Sequence, residues 1–515
     1  MTAARRASLA RLIAVGIVVT TASGAGQRAE AAAGPEPLRI LNSFKAEAID
    51  PAKPGAHWCY EFAYCEYPMQ AADEGGLEPW LLSSLDPVDE LTWRLTVRPG
   101  ITFQNGRPVD GEALAASLQR QIDLFAQVTP FLPGATAEAA GAREVLLRTS
   151  KPTAIVPALL AERSLFPVYD VAAVERVLAG GEDRDLAGAG IFTAPYAVTE
   201  LTADRLTLER YDGYWAGMPA LPGIEVRFVT DPQARILAVQ NGEADIALYP
   251  PSEVQDTLAG RDDIFLRRQE VAQETLRLAP NVGQPPLDEL AVRRAAALAV
   301  DYEALAQDVM GGLYDVAQGM YPSDHDYSLV TQRTDPAEAE RILDEAGWVE
   351  GAGGVRARDG QPLQLILLTY PQQPDTATHA VAVQDQLGRV GFDVSIRQVE
   401  DVNATITEEP WVPPPGSPVA FGCACIPARG VAPRLHSLAA MRARRALRAG
   451  RNRTLDADRP SGWEHQGWDI AVIFNGTLSL TADLKPFPVV VGPAYQGYEV
   501  SPVRRLVTYQ TAPAS

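Results

Sequence analysis

The chain is predicted to be an α/β protein, and three observations carry that class. Between residues 363 and 396 a strand pattern, an amphipathic helix and a second strand pattern follow one another, which is the order of a parallel pair with a right-handed crossover. Alternating runs and capped helices recur elsewhere along the chain. The composition, 46% hydrophobic and 21% charged, is that of a globular chain rather than a disordered one. At roughly 150 residues per domain, the 515 residues make two or three domains.

In chain order, residues 1–31 read as a secretory signal. Arg5, Arg6 and Arg11 supply the positive end, Leu12 to Val19 is apolar, and Ala29-Glu30-Ala31 offers a small-x-small cleavage site. The apolar run is far short of the ~20 residues that span a bilayer. The expected product is a soluble, exported, periplasmic protein with its signal removed. Cys59 and Cys65 then lie close together, and in an oxidising compartment they form a local disulfide or stay as two thiols. His57-x-Cys59 with Cys65 lacks the paired spacing of a zinc motif.

Leu91, Trp93, Leu95 and Val97 alternate with polar residues, the period of a half-buried strand. Pro99-Gly100 turns the chain, and Ile101 and Phe103 resume the alternation before Asn105-Gly106. Gly111 to Leu124 reads as a helix, Ile224, Val226 and Phe228 as a strand, and Asp231-Pro232 opens a helix through Gln240. Asp335 caps the next helix, with Pro336 at its first position and Glu338 completing a capping-box pattern. Ala339, Ile342, Leu343 and Ala346 form the apolar face of that helix. The strand-helix-strand unit follows, with Ala380, Val383, Leu387 and Val390 on the buried side of its helix. Ligands of such units sit beyond the carboxyl ends of the strands, facing a second lobe.

Residues 412–468 break the pattern. Three consecutive prolines and Cys423-x-Cys425 precede nine Arg between Arg429 and Arg459. The segment reads as an unpacked insertion rather than a basic arm. The chain as a whole is acidic, with 45 Lys and Arg against 65 Asp and Glu, a net charge of −20. That balance argues against a nucleic-acid partner.

Several ordered blocks resemble the bacterial extracellular solute-binding proteins of family 5, the peptide and nickel receptors of ABC importers. They are Trp93 to Gly106, Gly190 with Pro195-Tyr196, Arg210-Tyr-Asp-Gly-Tyr-Trp215, and Asn241-Gly-Glu-Ala-Asp245. Asn281, Arg293-Arg294-Ala295, Gly311-Gly312 and the unit ending near 397 continue the order, and Tyr498 to Val503 is similar to a late family segment. The resemblance implies a two-lobed periplasmic binding protein with a cleft and hinge, plus an extra domain on the first lobe, as in dipeptide receptors. On that pattern residues 32–75 and 190–280 make lobe I, 76–189 the extra domain II, and 281–411 with 469–515 lobe III.

The implied function is capture of a short peptide for delivery to the importer's membrane subunits. A nickel or metal-chelate receptor is the alternative, and an exported chaperone or sensor on the same scaffold a remoter one. No cofactor, no oligomer beyond a monomer and no enzymatic activity are expected. The five His, at 57, 325, 379, 436 and 465, sit in no metal or triad motif. Ser-x-Gly elbows are absent, and Gly351 to Gly354 lacks the Lys of a phosphate loop.

For ligand contacts, the aromatic-rich loop 51–67 nominates His57, Trp58 and Tyr60, since rings with polar tips suit a cleft holding a small polar ligand. Resemblance to the peptide-binding members adds Asp483 as a partner for a ligand's amino group, by a charge-assisted hydrogen bond. Phe474 and Asn475 stand at the same cleft edge. Trp215 reads as packing. A version lacking 412–468 should melt at the same temperature as the full chain or higher; a clear drop would show that the segment is packed.

Overall fold

The computed structural model describes residues 36–53, 55–71, 77–162, 164–219, 221–261, 264–267, 274–278, 280–313, 316, 330, 332–400, 478–484 and 489–491. Phe474, Asn475, the segment 412–468 expected to be an insertion and the segment 1–31 expected to be a signal lie outside these residues.

Its first sheet has seven strands, in the order Phe265–Arg267, Val489–Val491, Ile246–Leu248, Leu38–Asn42, Gly223–Phe228, Arg205–Arg210 and Tyr196–Leu201. Leu38–Asn42 runs parallel to both of its neighbours, so three carboxyl ends emerge side by side. Alternation along these strands buries both faces of the sheet in one core region, as a sheet covered on both sides requires. Leu38, Ile40, Ile246 and Leu248 pack on one face with Trp58, Phe62, Tyr64 and Tyr196. Leu41 and Ala247 pack on the other with Ile236 and Val239 of the helix Pro232–Gln240. That helix starts where the sequence predicts, Asp231 accepting from the Ala234 N–H at 2.8 Å.

A second core lies under a four-stranded antiparallel sheet ordered Leu82–Pro87, Thr92–Val97, Glu144–Arg148 and Thr136–Ala139, with the helix Gly111–Leu124. Ile101 and Phe103 are buried as expected, but the chain there makes a single bridge, Thr102 to Pro108, rather than a strand. The loop beyond it is anchored elsewhere: the Gln104 and Asn105 N–H groups donate to Phe192 and Gly190 carbonyls. Gly190 has φ +61°, and a Cβ there would meet Asn105 N at 2.8 Å. Only glycine lets these two segments approach so closely.

The third core belongs to the strand-helix-strand unit. Gln364–Thr369 and Asp393–Gln398 pair in parallel, and the helix Asp375–Arg389 covers them. The helices Leu290–Ala299 and Pro336–Glu345 pack into the same core. Asp335 accepts from Glu338 N–H at 3.1 Å, as predicted, but the reciprocal half of the capping box does not form. Asp335 N–H donates to the Leu298 carbonyl instead, and the Glu338 carboxylate takes the Arg341 guanidinium. An arginine one turn along is the stronger partner for a carboxylate at the surface. No helix among the described residues is long and apolar enough to cross a membrane.

One buried carboxylate joins the first two cores. Glu66 has no solvent exposure. It accepts from Trp80 Nε1 at 2.8 Å, Tyr214 OH at 2.6 Å, Thr193 Oγ1 at 2.8 Å and Trp215 Nε1 at 3.1 Å. Trp215 is therefore more than packing: it donates to Glu66, meets Trp80 edge-on at 5.0 Å and carries Arg98 over its ring.

Two measurements follow. Glu66→Gln turns one oxygen into a donor facing donors and should cost about 2–4 kcal/mol, read as a lower urea midpoint. His379 is buried on the helix Asp375–Arg389, and burial holds its imidazole down to about 4. The unfolded chain, titrating near the ordinary value, then binds more protons below pH 6.5, so stability is lost as pH falls from 6.5 towards 4. His379→Gln should flatten that part of the stability–pH curve; an unchanged slope would assign it to other groups.

Candidate functional site

Three aromatic side chains stand just past strand carboxyl ends. Phe44 follows Leu38–Asn42, Tyr249 follows Ile246–Leu248, and Tyr370 follows Gln364–Thr369. The first two strands belong to the seven-stranded sheet and the third to the strand-helix-strand unit. Phe44 is the meeting point. Its ring lies edge-on to Tyr249 at 4.9 Å and to Tyr370 at 6.3 Å, and is tilted against Trp58 at 5.8 Å. A buried hydrogen bond ties the same two bodies, Ser252 N–H donating to Asp375 Oδ1 at 2.9 Å.

The loop 51–67 supplies the remaining wall. The Cys59–Cys65 disulfide forms, and Tyr67 OH lies 3.7 and 3.6 Å from the two sulfurs. Trp58 is buried and stacks on Phe62 at 5.7 Å. His57 keeps solvent access, with its ring 5.1 Å from Trp58. The protein gathered around it nonetheless lowers its imidazole to about 4, so the ring is neutral at physiological pH and its unprotonated nitrogen can act as ligand or acceptor. Tyr60 is half-buried and packs 5.8 Å from Tyr67.

At the strand end itself, Asn42 Oδ1 and Ser43 Oγ are buried and have no hydrogen-bond partner among the described residues. Asn42 Nδ2 is used locally, donating to the Phe44 carbonyl at 2.9 Å. Two unpaired polar atoms beside an aromatic wall are what an incoming polar group or water would satisfy.

Of the six nominated contacts, His57 and Trp58 join this cluster through ring contacts, and Tyr60 sits beside it on the same loop. Asp483 falls in the strand Leu478–Leu484, which pairs with Glu274–Leu278. Sequence reasoning missed Phe44, Tyr249 and Tyr370. The available signal was an aromatic residue within two positions of each strand's end.

Among the described residues, no group of three His, Cys, Asp or Glu is placed to hold a metal ion. A separate groove of about 710 Å³ lies between the helices Leu290–Ala299 and Pro336–Glu345. Arg294, Arg333 and Arg341 line it, but Glu338 and Glu345 do too, so its charge selects no ligand, and it lies on other elements than the aromatic cluster.

Residues 76–411 match the family described as bacterial extracellular solute-binding proteins, family 5 Middle. The nickel-binding periplasmic protein of Escherichia coli (strain K12) is 28% identical over 334 residues, 63% of this chain and 63% of that protein. This chain thus spans less than two thirds of that relative's length. Di/tripeptide-binding protein 2 of Pseudomonas aeruginosa (strain UCBPP-PA14) is 26% identical over 402 residues, 72% of this chain and 73% of the relative. The crystal structure of NikA from Staphylococcus aureus in complex with Ni(L-His)2 superimposes with a TM-score of 0.66 at 18% identity, covering 91% of this chain and 97% of that one. The fold is that of a two-lobed substrate-binding protein, and the chain belongs to the bacterial extracellular solute-binding proteins of family 5.

Proposed function

We propose that the chain is the periplasmic substrate-binding component of an ABC importer, a monomer that captures a short peptide between two lobes and presents it to the membrane subunits. The observation that carries this reading is the Phe44 cluster, where aromatic residues from the two α/β bodies meet beyond their strand ends. Lobe I comprises 32–75 and 190–280, lobe III 281–411 with 469–515, and 76–189 is the additional domain. Rings close over the ligand's apolar parts, while the unpaired Asn42 Oδ1 and Ser43 Oγ take its polar groups. Closure is driven by the ligand's preference for the shut form, and no covalent chemistry is involved. In this reading Asp483 pairs with the peptide's amino group, and Phe474 and Asn475 complete the edge.

A second cargo, a nickel chelate, is favoured by one feature. His57 presents a neutral imidazole beside Trp58, and neutral imidazole is a good ligand for nickel. Titration of the periplasmic protein with a dipeptide and with nickel(II)–histidine separates the two. The peptide reading expects saturable dipeptide binding with a smaller radius of gyration, and about a tenfold loss in Trp58→Ala. Binding of nickel(II)–histidine alone, lost in His57→Ala, would transfer the function to the chelate. Failure of both probes to bind or compact the protein, with affinity for unfolded chains instead, would point to a chaperone.

A further inference from the structure

Arg235 is fully buried on the helix Pro232–Gln240, and backbone carbonyls rather than a carboxylate satisfy it. Nη1 donates to the Val229 and Thr230 carbonyls at 2.7 Å each, Nε to Leu248 at 3.1 Å and Nη2 to Tyr249 at 2.6 Å. The four carbonyls come from two chain segments. One leaves the strand Gly223–Phe228 and the other ends Ile246–Leu248, the two strands that flank Leu38–Asn42 in the sheet. The guanidinium therefore ties the carboxyl ends on either side of the strand that leads to Phe44. Asn42 is held in the same place, its carbonyl accepting from Val229 N–H at 2.8 Å.

Tyr249 is the unusual member of this set. Its φ is +51°, a left-handed backbone that bulky L-residues rarely adopt. Such a conformation is strained and persists only where the surroundings hold it. The bond from Arg235 to its carbonyl is part of that hold, and the ring it directs meets Phe44 edge-on at 4.9 Å.

We propose that Arg235 is a positioning residue of the cleft: by clamping the carbonyls of Leu248 and Tyr249 it keeps Tyr249 left-handed, so that the ring buttresses Phe44 against Tyr370. The functional weight of this inference rests on the cleft reading above, but the buttress itself is testable without ligand. Near-ultraviolet circular dichroism reads asymmetric packing of these rings. Lysine in place of Arg235 keeps the charge but lacks the fork that spans several carbonyls. Asparagine tolerates the left-handed backbone at 249 and removes the ring.

Arg235→Lys and Tyr249→Asn should each diminish the same near-ultraviolet band, with far-ultraviolet spectra unchanged, and the double variant should lose no more than either alone. A wild-type band in Arg235→Lys would overturn the proposal, as would a double variant showing the sum of two independent losses. Should Arg235→Lys not fold, Tyr249→Gly supplies the second arm. Added to Arg235→Lys, it adopts the left-handed backbone without the clamp, so folding should return, and a double variant that stays unfolded would overturn the proposal. A chain that binds neither dipeptide nor nickel(II)–histidine yet shows the non-additive spectra would sink the cleft reading and leave the positioning role standing.

Discussion

A single fully buried carboxylate organises the first half of the molecule. Glu66 collects two indole N–H groups, a phenol and a hydroxyl, delivered by the segment before the four-stranded sheet and by two stretches leading into and out of the strands around 196–210. A carboxylate without water is tolerable only if its lone pairs are filled, so the donors must arrive together or the site is unfavourable. The two cores are thereby fixed against each other, and the loop 51–65, which precedes Glu66 directly, inherits a fixed end. The aromatic wall formed by His57 and Trp58 is positioned from that anchor.

The opposite wall is positioned by sheet topology. Parallel strands discharge their chains on one side, so residues following them converge without any sequence proximity. Phe44 and Tyr249 are brought together this way, Tyr370 meets Phe44 from the strand-helix-strand unit, and the Ser252–Asp375 hydrogen bond adds a polar tie across the same gap. The site has one wall built on a cross-linked loop and one on strand termini, with Phe44 in contact with both.

What was legible in the sequence was local. Asp231 and Asp335 announce helix starts because a cap, its proline and the following turn lie within four residues. The strand-helix-strand unit was readable from period alone, and its buried Ala380, Val383, Leu387 and Val390 are as the spacing predicts. The partners of Glu66 are 14, 127, 148 and 149 residues away, and no periodicity reports on them. The same holds for the aromatic cluster: the loop 51–67 attracted notice through its density of rings, whereas Tyr249 and Tyr370 are isolated in sequence. Glu338 fits a capping box on paper, but Arg341 three residues later competes for it and wins. The resemblance blocks located these segments without saying what they do; Gly190 and Trp215 acquire physical roles only against Asn105 and Glu66.

The Cys59–Cys65 bond spans a sequence separation of 6, whereas Cys423 lies hundreds of residues downstream. In an unfolded chain the closure entropy favours the near pairing by about 3–4 kcal/mol. The near pairing is thus favoured by chain statistics before any tertiary structure exists.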